Sequence, residues 1–342
     1  MLSLDVPIVQ APMAGVHDGA LTIAVAQAGG LGSLPCAMLS TPALLKELES
    51  FNAAGVKTYN LNFFCHEPPA PDPRKEALWR QALAPYYEEL GIDPEIDVSA
   101  PSRAPFSNEF LELIRPFAPA VVSFHFGLPQ IAWLDEIKAW GGQVWSSATS
   151  LEEAHWLVEH GADAIIAQGI EAGGHRGMFL SQDLSDQADT YGLLRQIVEE
   201  IHNVPVIAAG GIAGPEQVKR LIDAGASAVQ VGTAYLCCDE ATTSDAHRKL
   251  LLSPESKNTA LTNLLSGRPA RGIMNRLMRE LGPMSDLAPD FPLASVALAP
   301  LRGAAEKAQR SDFSPLWCGT DASGCRQVSA AKQTRWLASA LT

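Results

Sequence analysis

The sequence predicts an α/β protein built on a (β/α)8 TIM-type barrel with a smaller helical second domain. Eight short β-prone runs alternate with helical stretches, and each run is apolar on both faces, as the buried strands of a parallel sheet are. The first βα turn, APMAGVHDGA, also lacks the GxGxxG of an open dinucleotide-binding sheet. An open doubly wound sheet is the alternative, but eight evenly spaced units exceed what most such sheets use.

PIVQA (Pro7 to Ala11) is the first run, and the helix-prone ALTIAVAQAGG behind it stops at Gly29-Gly30. GLGSLP (Gly30 to Pro35) is the second, after which Thr41-Pro42 is expected to cap and open a helix ending near Ala54. VKTYNLNFF (Val56 to Phe64), AVVSFHF (Ala120 to Phe126) and GQVWSSA (Gly142 to Ala148) are the third to fifth, the last backed by the well-patterned helix LEEAHWLVEHG. GADAIIAQG, VPVIAAGG (Val204 to Gly211) and ASAVQVGT (Ala226 to Thr233) complete the eight.

Two regions exceed the repeat. Residues 66–119 carry ten of the 24 prolines and are expected to form a helical excursion on the rim, with helices near Lys75 to Leu90 and Asn108 to Ile114. Residues 237–313 read as the small helical, loop-rich domain. Residues 1–236 then make the barrel, and 314–342 a closing segment that ends in an amphipathic helix, Arg326 to Leu341.

A hydrophobic content of 47% over 342 residues is ample for a large core. The net charge of −13 argues against nucleic acid or an anionic membrane as a partner. The opening MLSLDVPIVQAPM has no basic leader, and no apolar run approaches the roughly 18 residues of a membrane span, so a soluble cytoplasmic protein is expected. Six scattered cysteines with no CxxC pair point to buried reduced thiols and no metal site.

Barrel active sites lie at the C-terminal ends of the strands. There this chain places Gln10 to Met13, Asn60 and Asn62, Ser123 and His125, Ser146 and Ser147, and Gln168, with no carboxylate pair. Polar residues costly in a core thus collect at one rim, which suits an organic cofactor held by hydrogen bonds. The sixth strand runs into QGIEAGGHRG (Gln168 to Gly177), where Gly173, Gly174 and Gly177 would let backbone approach a ligand beside the titratable His175. After the seventh and eighth strands come Gly210-Gly211 and Gln230-Val231-Gly232-Thr233, each at a helix start. Backbone N–H groups there would bind a phosphate without a lysine.

Taken together, PIVQAPMAG, GADAIIAQGIEAGGHRG, VPVIAAGGI, VQVGT and SGRPARGIMNRL resemble the nitronate monooxygenases, formerly 2-nitropropane dioxygenases, of the class with the EAGGH loop. The resemblance covers nearly the whole chain. It implies an FMN-binding barrel that oxidises alkyl nitronates, such as propionate 3-nitronate, with dioxygen and without a nicotinamide cofactor. By residue, it implies flavin contacts at Asn62, Gln168, Gly173, Gly211, Gln230, Val231, Gly232 and Thr233, main chain around Met13 beneath the ring, and His175 as the catalytic histidine. Thr320 departs from the pattern, since related sequences tend to carry glutamine there.

His175 is expected to hydrogen-bond nitronate oxygens as a cation, with a base acting on neutral nitroalkane as the alternative. His125 is either a substrate contact or a satisfied buried histidine. The strongest rival function is a flavin-dependent enoyl-acyl-carrier-protein reductase using NADH on a similar barrel. A non-catalytic flavin carrier and a phosphosugar-binding barrel are the other two readings.

Overall fold

A computed structural model describes residues 2–93, 96 and 103–341; residues 94, 95 and 97–102 of the proline-rich segment lie outside them. In chain order the elements begin β1 (Ile8–Gln10), α1 (Gly19–Gln27), β2 (Gly32–Pro35), α2 (Thr41–Ala53), β3 (Tyr59–Phe64), α3 (Pro73–Leu90) and α4 (Asn108–Ile114). They continue β4 (Val121–His125), α5 (Ile131–Ala139), β5 (Gln143–Ala148), α6 (Leu151–Glu159), β6 (Ala164–Gln168), β7 (Gly174–His175), α7 (Thr190–Glu200), β8 (Val206–Ala209), α8 (Pro215–Asp223) and β9 (Ala228–Val231). After these come α9 (Asp245–Leu251), β10 (Thr259–Thr262), β11 (Ala270–Ile273), α10 (Arg276–Leu281), α11 (Ala294–Lys307) and α12 (Ala330–Leu337).

The eight expected strands form one parallel sheet in the order β1-β9-β8-β6-β5-β4-β3-β2. Val9 and Leu31 bridge its two ends: Gln10 N–H donates to the Leu31 carbonyl and Leu31 N–H to that of Ile8, both at 2.9 Å, so the sheet closes into a barrel. Its interior is filled, Trp145 packing with Val9, Leu31, Val121, Ile166 and Ile207. Local chemistry sets where the helices begin, Asp18, Asp72, Ser150 and Asp189 each accepting a first-turn N–H. Thr41 is not a cap as expected. It is the first residue of α2, with Ser40 before it, and its hydroxyl donates to Glu109 on α4 (2.6 Å).

The rim segment carries its two helices, α3 and α4, where expected, while the block after β9 is less helical than expected. β10, β11 and β7 form a three-stranded antiparallel sheet, in which His175 pairs with Ala270 and Gly174 with Arg271. The loop after β6 is therefore the third strand of a sheet that belongs to the block beyond the barrel. The proline-rich segment and this block also share one core, Trp79, Leu83, Tyr86 and Tyr87 of α3 packing with Leu298 and Leu301 of α11 and with Phe313. The chain then returns, and α12 packs against α1 and α8. All six cysteines are free thiols, five of them buried and Cys65 partly exposed.

Candidate active site

A cleft opens at the C-terminal ends of the barrel strands, under the antiparallel sheet. One end is made by the loops after β8 and β9. Gly211 takes φ +64°, so that turn needs glycine. The N–H groups of Gly211, Ile212, Gly232 and Thr233 line this end and donate to no acceptor among the described residues. Unclaimed donors beside a cleft are costly unless water or a ligand takes them, and four of them on two neighbouring loops suit an anion cradle. Gln230 adds a buried Oε1 with no partner, an acceptor that an N–H donor would satisfy. Among the described residues no cluster of potential metal ligands occurs.

The floor is pinned by a histidine that the sequence did not single out. Buried His17 donates from Nδ1 to the Asp18 carbonyl (3.1 Å), so its Nε2 must accept, and it takes the Met13 N–H at 3.0 Å. Burial drives the His17 pKa down to about 4, so the ring stays neutral and keeps that lone pair.

The loop bearing His175 is clamped from two sides. From the barrel, Gln168 Nε2 (2.9 Å) and His125 Nε2 (3.1 Å) both donate to the His175 carbonyl, while Gln168 Oε1 accepts the Gly177 N–H (2.8 Å). Because His125 Nε2 meets a carbonyl it carries the proton, and Nδ1 then accepts the Ser147 hydroxyl at 3.0 Å. Both ring nitrogens of His125 are thus satisfied within the protein although the ring also lines the cleft, and desolvation lowers its pKa to about 4. Buried Arg176 adds bonds to the carbonyls of Gly169 (2.6 Å) and Gln168 (2.8 Å). From the other side, Ser266 Oγ lies 2.8 Å from His175 Nε2.

The His175 ring is enclosed by aromatic side chains, with Phe291 at 5.3 Å and Trp317 at 5.5 Å between centroids and Phe64 and Phe126 at 6.2 Å. Burial there, then the Arg103 guanidinium, hold its pKa well below the usual histidine range. In the free protein this favours the neutral ring at pH 7 and runs against the expected cation, since Arg103 and Arg268 beside His175 disfavour a further positive charge. Positive charge at the mouth comes instead from Arg103 and Arg302, on the rim segment and α11, both lining the cleft.

Met13, Asn62, Gln168, Gly173, Gly211, Gln230, Val231, Gly232, Thr233, His125 and His175 all line this one cleft. Asn60 and Ser123 are instead spent inside the barrel on Ser33 and Asn62, and Ser146 on the carbonyls of Phe124 and Gly127. Two of the loop glycines are glycine for a reason other than ligand approach. A Cβ at Gly173 would stand 2.6 Å from the Cys318 carbonyl carbon, and one at Gly177 would stand 2.8 Å from the His125 ring. Thr320 donates its N–H to the Glu171 carbonyl (3.0 Å), and its neighbours Gly319 and Asp321 line the cleft. Sequence reasoning missed Ser266, Arg103 and Arg302. The only signal for Arg103 was an arginine set between prolines in an acidic chain.

Residues 1–334 match the family model described as "Nitronate monooxygenase". The chain is 37% identical to a nitronate monooxygenase of Pseudomonas aeruginosa over 98% of its own length and 96% of that protein's. It is 38% identical to one of Paraburkholderia phytofirmans, over 97% and 91% of the two lengths. Among solved structures, nitroalkane oxidase from Streptomyces ansochromogenes superposes with a TM-score of 0.88 at 34% identity, covering 99% of this chain and 96% of that one. FabK from Thermotoga maritima shares the fold alone, with a TM-score of 0.71 at 21% identity over 98% and 92% of the chains.

Proposed function

The chain belongs to the nitronate monooxygenase family, and we propose that it is an FMN-dependent enzyme oxidising alkyl nitronates with dioxygen to carbonyl compounds and nitrogen oxyanions. The observation that carries this reading is the pairing, in one cleft, of a four-donor anion cradle with a partly buried histidine whose pKa is lowered. The donors of Gly211, Ile212, Gly232 and Thr233 suit a phosphate, which explains how a chain of net charge −13 holds an anion. Gln230 Oε1 and Asn62, whose Nδ2 is turned away toward Ser123, suit the ring's polar edge, and Met13, fixed by His17, suits its face.

When bound, the flavin supplies electron acceptance and the route to dioxygen. The protein's own task is placement and charge. Its aromatic wall excludes water, and His175 can take the α-proton of a neutral nitroalkane while Arg103 and Arg268, which depress its own pKa, favour the nitronate formed. A preformed nitronate needs no such step.

The mouth arginines support propionate 3-nitronate within the substrate class. Arg103 Nη1 is steadied by Ser295 Oγ (3.0 Å) and Arg302 Nε by Glu306 (2.7 Å), and two guanidinium groups lining the cleft suit a carboxylate tail. Arg302→Met is expected to raise KM for propionate 3-nitronate about tenfold, the loss of one charge-assisted hydrogen bond near solvent, and to change KM for ethyl nitronate little. Equal effects on both substrates would remove the carboxylate contact.

The cofactor reading is tested first. Purified protein is expected to be yellow and to release FMN on denaturation, and recovery of FAD or of no flavin would refute it. Anaerobic propionate 3-nitronate should bleach the flavin and NADH should not; bleaching by NADH alone would favour the reductase.

A further inference from the structure

We infer that Ser266 fixes the tautomer of His175, holding the proton on Nε2 so that Nδ1 is the atom that receives the substrate's α-proton. The inference deepens the proposed function and rests on it for the identity of the substrate.

Ser266 is fully buried in the turn after β10, 91 residues from His175 in sequence, and its hydroxyl has one proton to give. Two acceptors lie in reach: His175 Nε2 at 2.8 Å and the Arg268 carbonyl at 3.4 Å. If the hydroxyl donates to Nε2, the Arg268 carbonyl loses that bond. If it donates to the carbonyl, its oxygen accepts a proton from Nε2–H and both contacts are hydrogen bonds. The second arrangement satisfies one more group in a buried site and is therefore favoured.

That arrangement leaves the Nδ1 lone pair open, and Nδ1 has no hydrogen-bond partner among the described residues. It also survives the reaction. When the α-carbon–hydrogen bond breaks, its electron pair stays on the substrate as the nitronate and the proton forms a new bond to Nδ1. Nε2–H goes on donating to Ser266 throughout, so nothing in the protein has to reorganise. In the opposite tautomer, proton uptake at Nε2 would break the Ser266 contact as it formed. The barrel holds the His175 carbonyl through Gln168 and His125, so the serine from the outer block has only the ring left to orient. Ser266 is on this account a positioning residue.

The test is ¹⁵N NMR of the FMN-loaded protein labelled at histidine, read for which nitrogen of His175 bears the proton. Wild type is expected to show Nε2–H, Ser266→Thr to keep it, and Ser266→Ala to show a mixture of tautomers. With neutral nitroethane, Ser266→Ala should lower kcat about five- to tenfold with KM little changed, and Ser266→Thr should stay within about twofold of wild type. Finding Nδ1–H in wild type would overturn the inference without any variant. So would a Ser266→Ala protein with the wild-type tautomer and rates. Failure of wild type to oxidise any nitronate would defeat the functional reading instead, and the tautomer would still be measured.

Discussion

His175→Asn is expected to retain FMN and to lose about 10²–10⁴ of its rate with a neutral nitroalkane, while losing distinctly less with a preformed nitronate. Asparagine can donate a hydrogen bond to an anionic oxygen but cannot accept the α-proton, so only the substrate that needs a base bears the full loss. The electrostatics sharpen the expectation. A base works in its unprotonated form, and burial followed by Arg103 holds the His175 pKa well below 6.5, so the base stays available as pH falls through that value. Wild-type kcat/KM for freshly dissolved nitroethane should therefore show no fall as pH drops from 8 through 6.5, the loss coming only well below that. A cationic histidine would give the opposite slope, with activity growing as pH drops through 6.5. Rates of wild type and His175→Asn on nitroethane and on ethyl nitronate across this range decide the matter. Equal losses on the two substrates, or a rate that climbs on acidification, would end the base assignment.

The barrel was legible because burial on both faces leaves a strong mark on sequence: AVVSFHF and GADAIIAQG hold little that a solvent-facing strand would need. The anion cradle was legible for a different reason. Glycines at the turns after consecutive strands are a local signal, and Gly211, with its positive φ, and Gly232 needed no distant partner to be recognised. What failed to show was whatever depends on chain segments far apart. The pairing of Gly174 and His175 with Arg271 and Ala270 joins residues about a hundred positions apart, and a two-residue strand has no period to detect. Ser266 is one serine in a turn until the fold sets it beside an imidazole. The lowered pKa of His175 was hidden for the same cause, since Phe64, Arg103, Phe126, Arg268 and Phe291 around it arrive from five separate stretches of the chain. Gly173 shows the converse. The glycine was noticed, but the atoms that require it belong to Cys318 and Gly319 and not to a ligand.

That contrast between glycines yields the second large effect, for Gly232→Leu. A Cβ at Gly232 would meet only Ala11 Cβ at 3.5 Å and Met13 Sδ at 3.7 Å, which is ordinary contact, and φ there is −108°, open to any L residue. The protein itself therefore does not demand glycine at this position. The rest of a leucine side chain has the cleft to occupy, in front of the N–H groups of Gly232 and Thr233. Displacing a phosphate from both forfeits two charge-assisted hydrogen bonds worth about 1.5–3 kcal/mol each, or roughly 10²–10⁴ in FMN affinity. Stability without flavin should scarcely change. Gly173→Ala is the control, because its Cβ would be forced to within 2.6 Å of the Cys318 and Gly319 backbone and should lower the melting temperature of the flavin-free protein. Titrating flavin-free Gly232→Leu with FMN by fluorescence quenching, beside thermal melts of both variants, separates the two kinds of glycine. Wild-type FMN affinity in Gly232→Leu would place the phosphate elsewhere in the cleft, and a collapsed melting temperature would make Gly232 a packing residue like Gly173.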